Sequence, residues 1–81
     1  MNEKILEFVT FCVNKLSILL KLSHEDIYDR LEKSGILYGY IIPSYDVLHT
    51  FSEHNLMVDI VEYMIEKGAL KDKCIDDIFL R

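Results

Sequence analysis

The sequence is poor in the residues that usually announce a chemistry. Its 81 positions hold one proline, three glycines, two cysteines, three histidines and no tryptophan. The glycines Gly35, Gly39 and Gly68 stand alone. None of them forms the glycine-rich loop that cradles a phosphate ahead of a helix. Cys12 and Cys74 lie near opposite ends and make no CxxC pair, which removes the common zinc and redox patterns. The apolar stretch over residues 36–43 falls far short of the ~20 residues that span a bilayer. Basic residues are outnumbered as well. Nine Lys and Arg against fourteen Asp and Glu give a net charge of −5. That balance opposes binding to nucleic-acid phosphates and to an anionic membrane surface. Glu3, Lys4 and Glu7 precede the apolar stretch, and no small-residue cleavage site follows. The start therefore reads as lacking a secretory signal. On that reading both cysteines are reduced thiols and the expected location is cytoplasmic.

What the chain does have is apolar periodicity. Hydrophobic residues make up 51% and charged residues 28%, a globular rather than a disordered balance. A chain of this length is one domain, expected over residues 1–81, and buries roughly 60% of its unfolded surface. That is enough for one small core.

Ile5, Val9, Cys12, Leu16, Leu19 and Leu20 recur at helical spacing and predict a first helix over residues 3–22. Glu3, Glu7, Thr10, Asn14, Ser17 and Lys21 take the opposite side. Phe11, Ile18 and Leu22 project into that polar arc. Either a later segment covers them or they form a partner-facing strip. Ser23 followed by Glu25 and Asp26 opens a second helix, with Gly35 at its end. Ile27, Tyr28 and Leu31 supply its apolar face. Residues 36–42 are β-branched and aromatic, yet no second strand-like run exists to pair with them. They read as a short helix or turn-rich apolar segment, ended by Pro43. Ser44 then caps a short helix through His49, with Val47 and Leu48 pointing inward. Thr50 or Ser52 caps the next helix, which runs from about Glu53 to Lys67 and stops at Gly68. It buries Met57, Ile60, Val61 and Met64 and exposes an acidic stripe of Asp59, Glu62 and Glu66. A final helix is expected over residues 69–81. The segments from Asp26 to Gly35 and from Asp59 to Gly68 echo each other at an offset of 33 positions, but two units do not make a solenoid. The predicted fold class is all-α: a compact single domain of four to five short helices.

Candidate chemistry is sparse. Asp46, His49, Glu53 and His54 are close in sequence, but the two histidines are five apart and face different sides of a helix. Cys12 fills an apolar helical position, where a thiol acts as a small hydrophobe. No catalytic, cofactor-binding or metal-binding set is assigned. A helix-turn-helix DNA reader would expose several Arg, Lys, Asn or Gln on its recognition helix; the helix over 53–67 exposes acids instead. The leading reading is a non-enzymatic protein-interaction module, with a protein partner or self-association through Phe11, Ile18, Leu22, Asp59, Glu62 and Glu66. A helix-turn-helix-like DNA-binding regulator comes second, and a small metal- or ligand-binding domain third.

The run Ser44-Tyr45-Asp46-Val47-Leu48-His49-Thr50, followed by Val58-Asp59-Ile60 and Glu62-Tyr63, resembles the signature of a bacterial small-protein family known as domain of unknown function 3791. The opening Met1-Asn2-Glu3-Lys4-Ile5-Leu6-Glu7-Phe8 and the Tyr28…Leu31…Ser34-Gly35-Ile36-Leu37 pattern resemble it too. The likeness covers about residues 3–68, leaving 69–81 as an extension. Where members often carry a glycine and a further tyrosine after the threonine, this chain has Phe51-Ser52-Glu53-His54-Asn55-Leu56. The family has no established activity. Its members are often encoded beside ADP-ribosyltransferase-like proteins, and the resemblance therefore implies an antitoxin or accessory partner of such a toxin-like enzyme. Within the signature, Tyr45, Asp46, His49 and Thr50 are read as a structural hinge, with His49 fastening the bend by hydrogen bonds.

Overall fold

A computed structural model describes residues 2–71. Among these residues the chain is all-α and has no strand. Helix α1 spans Glu3–Leu20, α2 His24–Lys33, a wide π turn Leu37–Ile41, α3 Tyr45–Leu48 and α4 Glu53–Glu66. The final helix expected over residues 69–81 lies outside the described residues from 72 onward. Residues 69–71 form turns, with Leu70 buried.

Local chemistry sets most of the boundaries. The first amides of a helix lack intrahelical acceptors, so a side-chain oxygen must stand in. Asn2 Oδ1 accepts from the Ile5 amide at 2.8 Å, Ser23 Oγ from Asp26 at 3.0 Å and Ser52 Oγ from Asn55 at 3.2 Å. The carbonyl ends are closed by left-handed residues. Gly68, at φ 78°, lets its own amide reach Ile65 O at 3.0 Å and the Ala69 amide reach Met64 O at 2.8 Å. These two bonds are the paired closure of a Schellman turn. Gly35 ends α2 in the same region at φ 83°. Lys21, at φ 57°, ends α1 there without being glycine, which costs about 1–2 kcal/mol.

The middle of the chain departs from expectation. Pro43 does not end the segment before it. Ile42 keeps helical angles of φ −69° and ψ −50°, and helical turns run on through Ser44 and Tyr45. A proline inside a helix crowds the carbonyl four residues earlier. Here the backbone widens ahead of it: the Ile42 amide bonds Leu37 O, five residues back, at 3.0 Å, as a π turn does. Ser44 accordingly makes no side-chain cap, and its amide bonds Tyr40 O at 3.0 Å. Because the turns continue, Leu37, Ile41 and Leu48 fall on one face at four- and seven-residue steps. All three are buried. Val47, expected inside, lies a hundred degrees from Leu48 on a helix and is 60% exposed.

One apolar cluster joins these elements: Val9, Cys12, Val13, Leu16 and Leu20 from α1, Ile27 and Leu31 from α2, and Leu56, Met57, Ile60, Val61 and Met64 from α4. No buried residue among those described is polar or charged. Polar ties lie at the margin of the core. Arg30 donates from Nε to Asp26 Oδ1 and from an η nitrogen to Ala69 O, both at 2.8 Å. It thereby holds α2 to the turn that closes α4.

The three glycines make a test of sign. Gly35→Ala and Gly68→Ala should each lower stability by about 1–2 kcal/mol, read from urea midpoints. Gly39 has a negative φ and open space around a built Cβ, so Gly39→Ala should be neutral or stabilising by up to about 1 kcal/mol. Similar losses at all three positions would contradict the assigned backbone.

Candidate interaction groove

A concavity of ≈ 780 Å³ lies between α1 and α2. Its floor is apolar. Val9 and Val13 are buried there, while Leu6 is 53% and Tyr28 39% exposed. Its edges carry Glu7 on α1 and Glu25 and Asp29 on α2, and no Lys or Arg lines it. Two polar contacts hold its wall residues, one across the groove and one to the π turn. His24 Nε2 lies 3.2 Å from Asn14 Oδ1, joining α2 to α1 with the imidazole donating. The Tyr28 and Tyr38 hydroxyls lie 3.3 Å apart, and this bond raises the Tyr28 pKa above its ordinary value.

The residues expected to form a partner surface are placed differently. Phe11 and Ile18 are exposed, at 38% and 66%, and Phe11 also lines the groove. Leu22 is half-buried and packs on the core, which takes it out of that strip. Of the acidic stripe, Glu62 and Glu66 face outward. Asp59 is half-buried and accepts a short hydrogen bond from the Tyr40 hydroxyl. Tyr40 in turn packs edge-on against Tyr63 at 4.7 Å. Burial first, then the hydrogen bond and the charge of Asp59, push the Tyr40 pKa up to about 12.

The Tyr45–Thr50 stretch divides in two. Tyr45 packs edge-on against Phe8 of α1 at 5.3 Å, and Leu48 is buried. Asp46, His49 and Thr50 face outward. His49 does not fasten the bend by a hydrogen bond to a carbonyl; its ring stacks on Tyr45 at 4.7 Å. The Thr50 hydroxyl does bond Val47 O, at 2.6 Å. Among the described residues no group of three or more His, Cys, Asp or Glu is placed to hold a metal ion. Cys12 is fully buried, and burial pushes its thiol up to about 12; the reactive thiolate is therefore suppressed.

Sequence reasoning missed the groove. Leu6, Val9 and Val13 sit at three-, four- and seven-residue spacing, which is a legible stripe. However, α1 is apolar around most of its circumference, and periodicity alone does not say which arc a neighbour covers.

Two measurements check these placements. Tyr40, held protonated by its surroundings, should titrate late, at about pH 12. A raised acid pKa contributes stability fully below the ordinary tyrosine value near 10 and loses it as pH climbs toward the folded value. The late step in the tyrosinate absorbance should vanish in Tyr40→Phe, and its persistence would refute the assignment. His49→Ala should cost only about 0.5–1.5 kcal/mol, the worth of an aromatic stack, in thermal melts. A loss of several kcal/mol would contradict the exposed placement.

No helix among the described residues is long and apolar enough to cross a membrane. No curated protein and no solved structure matches the chain. Residues 7–67, most of the chain, match the family model described as Protein of unknown function (DUF3791), and the protein belongs to that family.

Proposed function

We propose that this protein is a non-enzymatic protein-interaction module whose partner seats on the α1–α2 face. The observation that carries this reading is the groove itself: an open apolar floor between two helices, edged by carboxylates. A concave, mostly apolar floor with a few polar groups at its edge is the usual form of a binding site. The groove's polar groups are few, and none is a nucleophile beside a base, so recognition suits it better than bond-making. The acidic charge weighs against the DNA-binding alternative, and the dispersed histidines and carboxylates weigh against a metal-binding one. The family's frequent neighbourhood with ADP-ribosyltransferase-like proteins favours a bacterial, cytoplasmic antitoxin or accessory subunit. Such a role needs a complementary surface and no catalytic site.

Capture from the native host, followed by reconstitution from purified components, tests the reading. A complex of defined stoichiometry with a second protein is expected. An empty capture, together with a monomeric mass and no self-association in solution, would contradict it.

A further inference from the structure

We infer that the occupant of the α1–α2 groove is a single amphipathic helix of another protein, with an apolar inner face and Lys or Arg along its edges. The inference rests on the interaction reading above and adds the chemistry of the partner.

Three observations lead to it. The first is shape. The α1 wall runs from Leu6 to Asn14, about 12 Å at 1.5 Å per residue. Two to three turns of a helix cover that length. On this wall Leu6 and Phe11 stand exposed beside the buried Val9 and Val13 and offer apolar surface to another helix. Tyr28 adds a large amphipathic anchor from the facing wall, a residue type enriched where binding energy concentrates.

The second is backbone hydrogen bonding. Both walls are helices, whose amides and carbonyls past the first turn are paired within the helix. They offer no open strand edge, so an extended peptide laid here would leave its backbone unsatisfied. A helix satisfies its own.

The third is charge. Glu7 and Glu25 edge the groove with no Lys or Arg in its lining, whereas Asp29 is paired with Lys33 at 3.1 Å. Cationic flanks on the incoming helix meet this edge favourably, and anionic flanks are repelled. The same argument disfavours two other occupants. A second copy would bring its own net charge of −5 and, in a two-fold pairing, the same carboxylates. Residues 72–81 carry Asp72, Asp76 and Asp77 against Lys73 and Arg81, which is also acidic on balance.

The test is a display selection on the full-length protein with two peptide pools. Both carry Leu or Ile at i, i+3, i+4 and i+7; one has Lys and Arg at the flanking positions and the other Glu. The basic pool should enrich. A winning peptide, measured by fluorescence anisotropy, should bind Leu6→Ser with Tyr28→Ala at least about tenfold more weakly, a loss of about 1.4 kcal/mol. Glu7→Lys with Glu25→Lys changes only exposed side chains and should reverse the preference between pools. Val47→Ser, on α3 and outside the groove lining, should leave binding unchanged. Enrichment of neither pool, equal enrichment of both, or binding insensitive to the groove substitutions would overturn the inference. If a host protein is still captured in those cases, the broader interaction reading stands and only the groove assignment falls.

Discussion

The fold and its groove both depend on how α1 turns into α2. The reversal takes three residues. Lys21 adopts a left-handed conformation, the Leu22 amide bonds Ser17 O at 3.2 Å, and the Ser17 hydroxyl bonds Leu22 O in return. Leu22 tucks against the core and Ser23 caps the next helix. With the corner fixed, α2 has no choice of face. Ile27 and Leu31 enter the core, and Tyr28 and Asp29 turn to the seam with α1. Packing and candidate function are two sides of the same helix pair.

The remaining ties keep that pair in register with the rest. Arg30 reaches the Ala69 carbonyl from α2, Tyr40 reaches Asp59 on α4, and Tyr45 packs on Phe8 of α1. Each links segments distant in sequence, and each lies at the margin of an apolar core. Buried polar groups without partners are costly, and none occurs among the described residues. Half-buried and accepting the Tyr40 hydroxyl, Asp59 is turned less to the outside than Glu62 and Glu66. The carboxylates on the groove edge, Glu7 and Glu25, are exposed.

What the sequence made legible was what local chemistry decides. The caps at Ser23 and Ser52 and the left-handed ends at Gly35 and Gly68 follow from needs that a few neighbouring residues satisfy. The echo between those two glycine-ended segments reflects a left-handed glycine at each helix end, at φ 83° and 78°. The path through Pro43 was not legible. Whether a proline breaks a helix or is absorbed by a π turn depends on the burial of Leu37, Ile41 and Leu48, and that is decided by partners far along the chain. Val47 was misplaced for the same reason, since its direction follows from a helical phase carried across the proline. His49 looked like a polar fastener although Tyr45, four residues before it on the predicted helix, stands within reach of its ring. The groove lay hidden in an excess of signal: a helix apolar on nearly every side does not reveal which stripe is left uncovered.

The central claim is that the α1–α2 face, rather than the α3–α4 side, is where this protein meets its partner. A proton–nitrogen correlation spectrum of the labelled protein, titrated with its captured partner, addresses that claim directly. The account predicts that the amides of residues 6–14 and 24–29 shift most, with little change over 45–66. Shifts centred on residues 45–66, with the α1–α2 amides unmoved, would contradict it.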